Sequence, residues 1–351
     1  MSVQEDPYSS VEAVQELANI DPDMAKMLKD GSIDAKAFPS FEAMVQMFRD
    51  HPPSPGPHLR TEWSRYVKMR DGHTHEIRVY KPDDLAEGPL VVLIYGGGFC
   101  MGHYSHFGSY SRAIASLYGA TVVNISYRLA PEFKFPTAPN DVWDSITWLV
   151  EPENAKELGL DLDKGFIVGG MSAGANLAAV LAQQWVSNSK SPSITGIWLN
   201  VPLLFVHEIV PDDQRELWVA REQNAEAMII SKESTDFIRS AYSPHVTSPD
   251  FSPANQRGAH TGLPPTHIQV CGQDPLRDDG LIYERILRKH GVTTKLDVYP
   301  GIPHAGPYFF PTLPIAAKHN MDVLKGFGWL LGRDASEEQY QLALEIMTTP
   351  A

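Results

Sequence analysis

A serine flanked by glycines, between an apolar strand and a helix of small residues, constrains this chain more than any other feature. Residues 165–178 read GFIVGGMSAGANLA, with Ser172 at the centre of a Gly-x-Ser-x-Gly pentapeptide. Strand and helix can close on each other only if Gly170 and Gly174 carry no Cβ. Such a turn lifts the Ser172 hydroxyl out of the sheet, and the helix N-terminus behind it favours negative charge. The pentapeptide alone fits two interpretations, a nucleophilic serine or a chance glycine-rich turn.

The rest of the chain alternates apolar strands with helical segments. This alternation predicts an α/β fold with a mostly parallel sheet covered by helices on both faces. The first two strands are predicted to form a hairpin that turns at Asp71-Gly72. Besides the strand and helix around Ser172, we predict strands at 63–69, 75–80, 90–95, 120–127, 194–201, 266–271 and 294–299, and helices at 106–117, 139–150, 280–290, 315–331 and 335–347.

Two segments lie outside this alternation. Residues 1–57 carry helical patterns and end in a proline-rich linker that begins at His51. Their apolar helix face, formed by Phe41, Met44, Val45 and Phe48, either packs against the sheet or lines a ligand cavity. The second segment is predicted to be a helical insertion. The resulting organisation is an N-terminal part (1–57), a core in two parts (58–202 and 246–333), the insertion (203–245) and a C-terminal helix (334–351).

The composition excludes several classes of protein. The net charge of −14 argues against nucleic acid or an anionic membrane as a partner. No apolar run approaches the ~20 residues that span a bilayer, and the acidic N-terminus lacks a secretory signal, so we expect a cytoplasmic protein. Cys100 and Cys271, the only two cysteines, are predicted to be free thiols. Zinc-ligand spacing and a phosphate-binding loop are both missing, so we expect neither a metal nor a cofactor.

An activated serine needs a base, a group that orients the base, and N–H donors for the oxyanion. In an open α/β sheet these groups come from loops at the carboxyl ends of strands. The glycines at 96–98 directly follow the apolar strand at 90–95, and their N–H groups can approach a small anion without steric hindrance. We therefore predict an oxyanion hole formed by the N–H groups of Gly97, Gly98 and Ala173. The alternative is a flexible turn.

Two later loops offer the base and its orienting group. Asp274 is the first acidic residue after the strand at 266–271, and His304 follows the strand at 294–299. This position distinguishes His304 among the thirteen histidines. We therefore predict that His304 is the general base and that Asp274 orients it. Asp278 and Asp279 fall where the next helix begins and are predicted to be capping charges.

In combination, these motifs resemble the hormone-sensitive-lipase-like branch of the α/β-hydrolase family, which includes many bacterial and fungal carboxylesterases. The matching stretches are 96–99, 127–132, 170–177, 274–278 and His304. The chain order Ser172, Asp274, His304 is the order that this fold uses. The resemblance implies an α/β-hydrolase fold with an eight-stranded, mostly parallel sheet and a helical cap built from the N-terminal helices and the insertion. It also implies a cofactor-free serine carboxylesterase that acts on a small or medium hydrophobic ester through an acyl-enzyme.

Three places depart from the family pattern. Tyr95 stands where a histidine usually precedes the glycines, but a tyrosine can still donate one hydrogen bond. Met171 replaces a common acidic residue, and Ala305-Gly306 replaces a usual Gly-Phe and leaves space beside the pocket. We interpret these departures as changes in substrate fit. Arg128 and Glu132, in another matching stretch, are predicted to brace their loop.

The resemblance leaves other functions open. The chain is similar to fungal relatives that act on acetylated or lactonised natural products, so lactone hydrolysis or acyl transfer remains an alternative if water is excluded from the acyl-enzyme. A ligand-binding homologue with a disabled site is another, although Ser172, Asp274 and His304 are all present. A scaffold for protein partners has support only in the surplus helix at 335–347. This helix either docks on the domain or mediates a homodimer.

Overall fold

Eight strands form one mixed sheet at the centre of the molecule. The protein is described by a computed structural model that covers residues 6–35, 39–51, 60–255 and 260–348. The strands are β1 (Glu62–Lys68), β2 (Thr74–Tyr80), β3 (Leu90–Ile94), β4 (Thr121–Ile125), β5 (Phe166–Met171), β6 (Gly196–Asn200), β7 (Thr266–Cys271) and β8 (Thr294–Tyr299). Their order is β1-β2-β4-β3-β5-β6-β7-β8. β2 is antiparallel to β1 and β4, and all other neighbours are parallel. This is the predicted sheet.

Helices cover both faces of the sheet, and every residue of the five central strands, β3 to β7, is therefore buried. The helices are α1 (Val11–Glu16), α2 (Pro22–Lys29), α3 (Phe41–Asp50), α4 (Gly108–Tyr118), α5 (Thr137–Val150), α6 (Pro152–Leu158), α7 (Ala173–Ser187), α8 (Ala220–Gln223), α9 (Lys232–Tyr242), α10 (Arg277–Lys289), α11 (Gly306–Phe309), α12 (Pro314–Leu331) and α13 (Glu337–Thr348). α4 packs against α12 and α13, and α5 packs against α7.

The predicted strands and the longer core helices are confirmed to within a few residues. The hairpin turns where expected: Gly72 has a φ of +89°, and the Met69 N–H donates to the His73 carbonyl over 2.7 Å. α6 was not predicted, because a seven-residue helix with two buried residues is too short to show a periodic pattern. Apart from His51, the predicted linker lies outside the described residues.

The insertion is less helical than predicted. Within 203–245 only α8 and α9 are α-helical; two short 3₁₀ turns, His207–Ile209 and Asp212–Leu217, interrupt a remainder that is mostly irregular. The prediction rested on scattered large apolar residues. These are buried in the core or packed against it, and four backbone N–H groups, those of residues 204, 205, 219 and 220, have acceptors outside the insertion. The large apolar residues of the insertion are therefore explained by burial and not by helix formation, which is why the prediction of a helical insertion was too strong.

Asp278 and Asp279 hold this insertion in place, which corrects their predicted role as capping charges. Both lie in the first turn of α10, but their carboxylates are buried and accept hydrogen bonds from the insertion. From the insertion, Asp278 accepts hydrogen bonds from the backbone N–H groups of Val219 and Ala220. Asp279 accepts four, from the backbone N–H groups of Leu204 and Phe205, the Arg221 guanidinium and the Trp218 indole N–H. The six distances lie between 2.6 and 3.0 Å. The start of a core helix thus anchors the cap.

The N-terminal helices complete the cap. α3 packs against α9, where the ring centroids of Phe41 and Phe237 are 6.0 Å apart. The segment after α1 is tied to the core, because the Gly301 N–H donates to the Leu17 carbonyl over 2.8 Å. α3 and α9 therefore lie side by side over the carboxyl ends of the strands, although the sequence separates them widely.

The C-terminal helix docks on the domain. α13 lies against α4 and α12 and buries Tyr340, Ala343 and Met347. Of the two roles open for this helix, the contacts support docking. Homodimerisation stays a prediction.

Candidate active site

Ser172 lies on the sharp turn that its flanking glycines predict. β5 ends at Met171 and α7 begins at Ala173, so one residue with φ +56° and ψ −118° makes the whole connection. A Cβ on Gly170 would lie 2.4 Å from the carbonyl carbon of Gly174, and one on Gly174 would lie 2.0 Å from the Ile94 oxygen. Both glycines are therefore required for the strand and helix to approach. The positive φ of Ser172 marks backbone strain, which proteins retain mainly at functional sites.

His304 and Asp274 meet across the ends of β7 and β8. The His304 Nδ1 lies 2.7 Å from the Asp274 Oδ2, and the Leu276 N–H donates to the Asp274 Oδ1 over 2.7 Å. Asp274 is fully buried and His304 is nearly so. A carboxylate can only accept, so Nδ1 carries the proton, and Nε2 is left as the basic nitrogen. The pair that the sequence predicts is thus brought together.

The glycine loop lies directly against the serine. A Cβ on Gly96 would be 3.2 Å from the Ser172 Cβ, and one on Gly97 would be 2.1 Å from the Met101 oxygen. Gly97 and Gly98 both have positive φ, at +121° and +59°. Backbone here approaches the nucleophile position more closely than any side chain would permit. Gly96 therefore lies directly beside Ser172, and the predicted donors Gly97 and Gly98 line the same cavity as Ser172.

Tyr95, which stands where the family pattern has a histidine, holds this loop in place. Its hydroxyl donates to the Tyr127 carbonyl over 3.0 Å, and the Tyr127 hydroxyl donates to the Tyr95 carbonyl over 3.0 Å. The two rings stack with centroids 4.5 Å apart. Burial raises the pKa of both phenols, so both remain protonated donors. The expectation that Tyr95 donates one hydrogen bond is confirmed, while its partner was not predictable from the sequence.

The loop after β4 is braced by ion pairs, in agreement with the role predicted for Arg128 and Glu132. The Arg128 guanidinium donates to Asp141 over 2.7 Å and to Asp71 over 2.6 Å, and Glu132 pairs with Arg49 of α3. Burial by itself would raise the pKa of Asp141. Hydrogen bonds from His75 and Arg128 outweigh burial and lower it to about 2. Asp141 therefore acts as a charged anchor beneath the loop.

Ser172 and His304 open into an apolar cavity of about 300 Å³. The cavity wall combines core and cap: the glycine loop, α3, the segment 229–238 and α11. Its lining includes Phe41, Met44, Phe48, Met101, Phe107, Met171, Leu203, Ile229, Ile230, Ile238, Leu276, Tyr308 and Phe309. The face of α3 thus both packs and lines a cavity. Small residues at Ala305-Gly306 were predicted to leave space beside the pocket. Tyr308 and Phe309, which follow them, line the cavity together with Ala305.

His106 is a polar side chain in this apolar lining, and it was not among the predicted site residues. It lies on the 3₁₀ turn Tyr104–Phe107, half-buried, with its ring edge-on to Phe48 and Tyr95 at centroid distances of 6.0 and 6.3 Å. Burial lowers its pKa to about 4, so the ring is neutral near pH 7. Within the described part of the chain its ring nitrogens have no hydrogen-bond partner. The sequence places this histidine at the start of a predicted helix, where nothing distinguishes it from an ordinary residue at a helix end.

The two cysteines are buried and unpaired. Burial raises the pKa of Cys100 to about 12, which leaves the thiol protonated and unreactive at neutral pH. Across the described ranges, no three potential metal ligands of the His, Cys, Asp or Glu type come together. The helices that the structure describes include none with the length and apolar character needed to cross a bilayer.

A family model for the alpha/beta hydrolase fold matches residues 91–307, which is more than half of the chain. The chain belongs to the α/β-hydrolase family. Within that family it falls in the hormone-sensitive-lipase-like, carboxylesterase branch, and it is a serine hydrolase of the carboxylesterase type.

Several curated relatives of this hydrolase carry esterase names. It is 33% identical to an AB hydrolase superfamily protein of Schizosaccharomyces pombe over 78% of this chain and 80% of the relative. It is 32% identical to the versiconal hemiacetal acetate esterase of Dothistroma septosporum over 77% of this chain and 83% of the relative. The carboxylesterase NlhH of Mycobacterium tuberculosis is 32% identical, over 86% and 92% of the two chains.

Solved structures show the same architecture. Vibralactone cyclase superimposes on this hydrolase with a TM-score of 0.79 at 27% identity, covering 90% of this chain and 96% of that one. The hyperthermophilic esterase of Pyrobaculum calidifontis has a TM-score of 0.68 at 28% identity, covering 94% and 98%. The fold is therefore shared with these solved structures, and relatives named esterases occur in a fungus, a bacterium and an archaeon.

Proposed function

We propose that this hydrolase cleaves a small or medium hydrophobic carboxylic ester through a triad of Ser172, His304 and Asp274. His304 takes the proton of the Ser172 hydroxyl as that oxygen attacks the acyl carbon, and then donates it to the leaving alcohol. Water, activated by the same imidazole, attacks the acyl-enzyme and releases the acid. The observation that carries the proposal is the 2.7 Å bond between His304 and the buried Asp274, beside a cavity that Ser172 also lines.

The oxyanion is held by backbone N–H groups in this scheme. Gly97, Gly98 and Ala173 supply them, and each such donor is worth about 10²–10³ in rate in related enzymes. Ala173 contributes as the first residue of α7, so the helix N-terminus adds a partial positive charge. The glycines contribute because they follow Gly96, which packs against Ser172, and because they line the same cavity as Ser172. Preorganised donors of this kind stabilise the tetrahedral intermediate without needing to reorient.

The cavity supports an apolar substrate. Its lining is dominated by Phe, Met, Ile and Leu side chains, and its volume of about 300 Å³ suits a small or medium ester. One relative is named for an acetate ester of a natural product, and one structural neighbour is named a cyclase of a lactone. Transfer of the acyl group to a hydroxyl, or opening of a lactone, uses the same acyl-enzyme and is the second candidate.

Hydrolysis of 4-nitrophenyl esters from acetate to decanoate tests the proposal. We expect turnover of short or medium chains, and we expect Ser172→Ala to reduce kcat by roughly 10⁴–10⁶-fold. A fluorophosphonate probe should label the wild type and not Ser172→Ala. If the probe labels the wild type but none of the 4-nitrophenyl esters is hydrolysed, lactones and acyl transfer become the reactions to test. Wild-type protein that neither labels nor hydrolyses any ester would contradict the triad and favour a ligand-binding protein.

A further inference from the structure

A second cavity lies in the cap, directly behind one wall of the first. Its volume is about 220 Å³. Part of its lining is aromatic and comes from the core and the insertion: Phe99, Phe205, Trp218, Tyr242 and Phe251. The lining also includes charged side chains of the insertion: Arg221, Glu222, Lys232, Asp236 and Arg239. Leu203, Thr235 and Ile238 line both cavities, so these three side chains form the partition between them.

Ile238 is the part of the partition that bears on the reaction centre. It lies on α9, is only 6% exposed, and packs so closely on the glycine loop that a Cβ on Gly98 would be 2.6 Å from its Cδ1. Leu203 is fixed in another way, since its carbonyl accepts from the Asn176 side chain over 2.8 Å. The Thr235 hydroxyl is engaged with the Lys232 carbonyl over 2.8 Å. Leu203 and Ile238 are both apolar, and of the two it is Ile238 that packs against Gly98, one of the predicted oxyanion donors.

We propose that Ile238 sets the largest apolar group that the site accepts, and that the second cavity is a closed extension of the substrate cavity. This rests on the proposed ester hydrolysis at Ser172. With isoleucine in place, the apolar chain of a bound ester ends at the partition. Removing its outer carbons would join the two cavities and expose the aromatic lining to a longer chain. Each additional buried CH₂ is worth roughly fourfold in binding or in kcat/KM.

The test compares Ile238→Ala with Ile230→Ala. Ile230 is a matched control because it lines the first cavity only and is 5% exposed, against 6% for Ile238. Two ester series are used, 4-nitrophenyl esters from acetate to decanoate and alkyl acetates from ethyl to decyl, so that the chain is varied on either side of the ester. Thermal unfolding of each variant checks that the fold is retained, and Ile238→Val serves as the milder change if the alanine variant does not fold.

In one of the two series, Ile238→Ala should raise the ratio of kcat/KM for the ten-carbon ester to that for the shortest ester by at least about tenfold. Ile230→Ala should change that ratio by less than about threefold. A ratio that Ile238→Ala leaves unchanged in both series, or that Ile230→Ala raises as much, would overturn the inference even though Ser172-dependent hydrolysis stood.

A binding measurement keeps the inference testable if the wild type hydrolyses neither series. The dissociation constants of decanoate and decanol are compared with those of butanoate and butanol by calorimetry. Ile238→Ala should tighten at least one of the ten-carbon ligands by about tenfold while leaving both four-carbon ligands unchanged. Equal affinity in wild type and variant would show that the second cavity is not reached through this partition. Failure of the proposed reaction would appear separately, as absent turnover.

Discussion

His106 places a polar group in a cavity where nearly everything else is apolar. When a bound molecule displaces solvent from the half-buried ring, a neutral imidazole without a protein partner has a hydrogen bond only if that molecule supplies one. Leaving such a group dry and unpaired costs about 1–3 kcal/mol. The side chain therefore favours a hydrophobic ester that also carries a hydroxyl or carbonyl oxygen away from the scissile bond.

Replacing His106 by leucine should reverse that preference. We expect kcat/KM for a hydroxylated aryl acetate to fall about tenfold relative to its deoxy counterpart, with most of the change in KM. His106→Gln, which keeps a donor and an acceptor, should retain most of the selectivity. Steady-state kinetics with the matched pair measures the ratio. Equal losses on both esters in His106→Leu would show that the residue only shapes the cavity.

For individual residues, the sequence predicted the positions that depend on a local pattern, but not the contacts between residues far apart in the chain. Ser172, Asp274 and His304 were predictable because each follows a strand end with its own turn chemistry. Tyr127 as the partner of Tyr95, and Asp141 as the anchor of Arg128, were not. Each of these pairs forms only when separate loops meet, and a single sequence carries no signal for that meeting.

Among the elements, the cap insertion depends most on buried charge. Its backbone turns back over α10 without long helices of its own, so its N–H groups need acceptors from outside. Burial raises the pKa of Asp279, while the Arg221 guanidinium and the N–H donors act against that rise. The pattern of strands and helices in the core was predictable from hydrophobic runs. The path of the insertion was not, because carboxylates on another element determine it.

Replacing Asp278 by asparagine should loosen the insertion before it unfolds the core. In either orientation the new amide NH₂ would face a donor, because two backbone N–H groups bond one oxygen of Asp278 and the Arg277 guanidinium bonds the other over 2.8 Å. This costs roughly 2–4 kcal/mol of cap stability. Limited proteolysis should cut within 203–245 several times faster than in the wild type. Glu222→Gln is the control, since its ion pair with Lys232 is exposed and is expected to change stability by less than about 0.5 kcal/mol. Unchanged cleavage in Asp278→Asn would contradict the anchoring role.

For the whole molecule, stability at acid pH depends on the buried cluster in which Asp141 bonds His75 and Arg128. The pKa of Asp141 is about 2 in the folded chain and ~3.9 when unfolded, so its contribution is complete above pH 4 and is lost as the pH falls towards 2. The contribution is worth roughly 2 kcal/mol at neutral pH. Because the cluster joins the β1–β2 hairpin, the loop after β4 and α5, its loss affects several elements at once.

Asp141→Asn should lower the unfolding free energy at pH 7 by at least about 2 kcal/mol, and the difference from wild type should shrink as the pH approaches 2. Urea unfolding at a series of pH values measures both quantities. Asp213→Asn, which removes an exposed ion pair with Lys289, should differ from wild type by less than about 0.5 kcal/mol throughout. A deficit in Asp141→Asn that stayed constant from pH 7 to pH 2 would mean that packing, and not charge, is responsible.

The cavity walls contributed by α3 and by 229–238 have a consequence for how such a protein can be altered. Bond cleavage is assigned to turns of the core, while the shape of the accepted molecule is determined largely by two cap segments far apart in the chain. A mutational library confined to those two segments would therefore vary substrate choice while keeping the nucleophile turn intact. Positions 41 and 238 are the exception, because both side chains rest against Gly98. Changes there would alter selectivity and turnover together, so adaptation to a new ester is expected to spread first through the other cap positions.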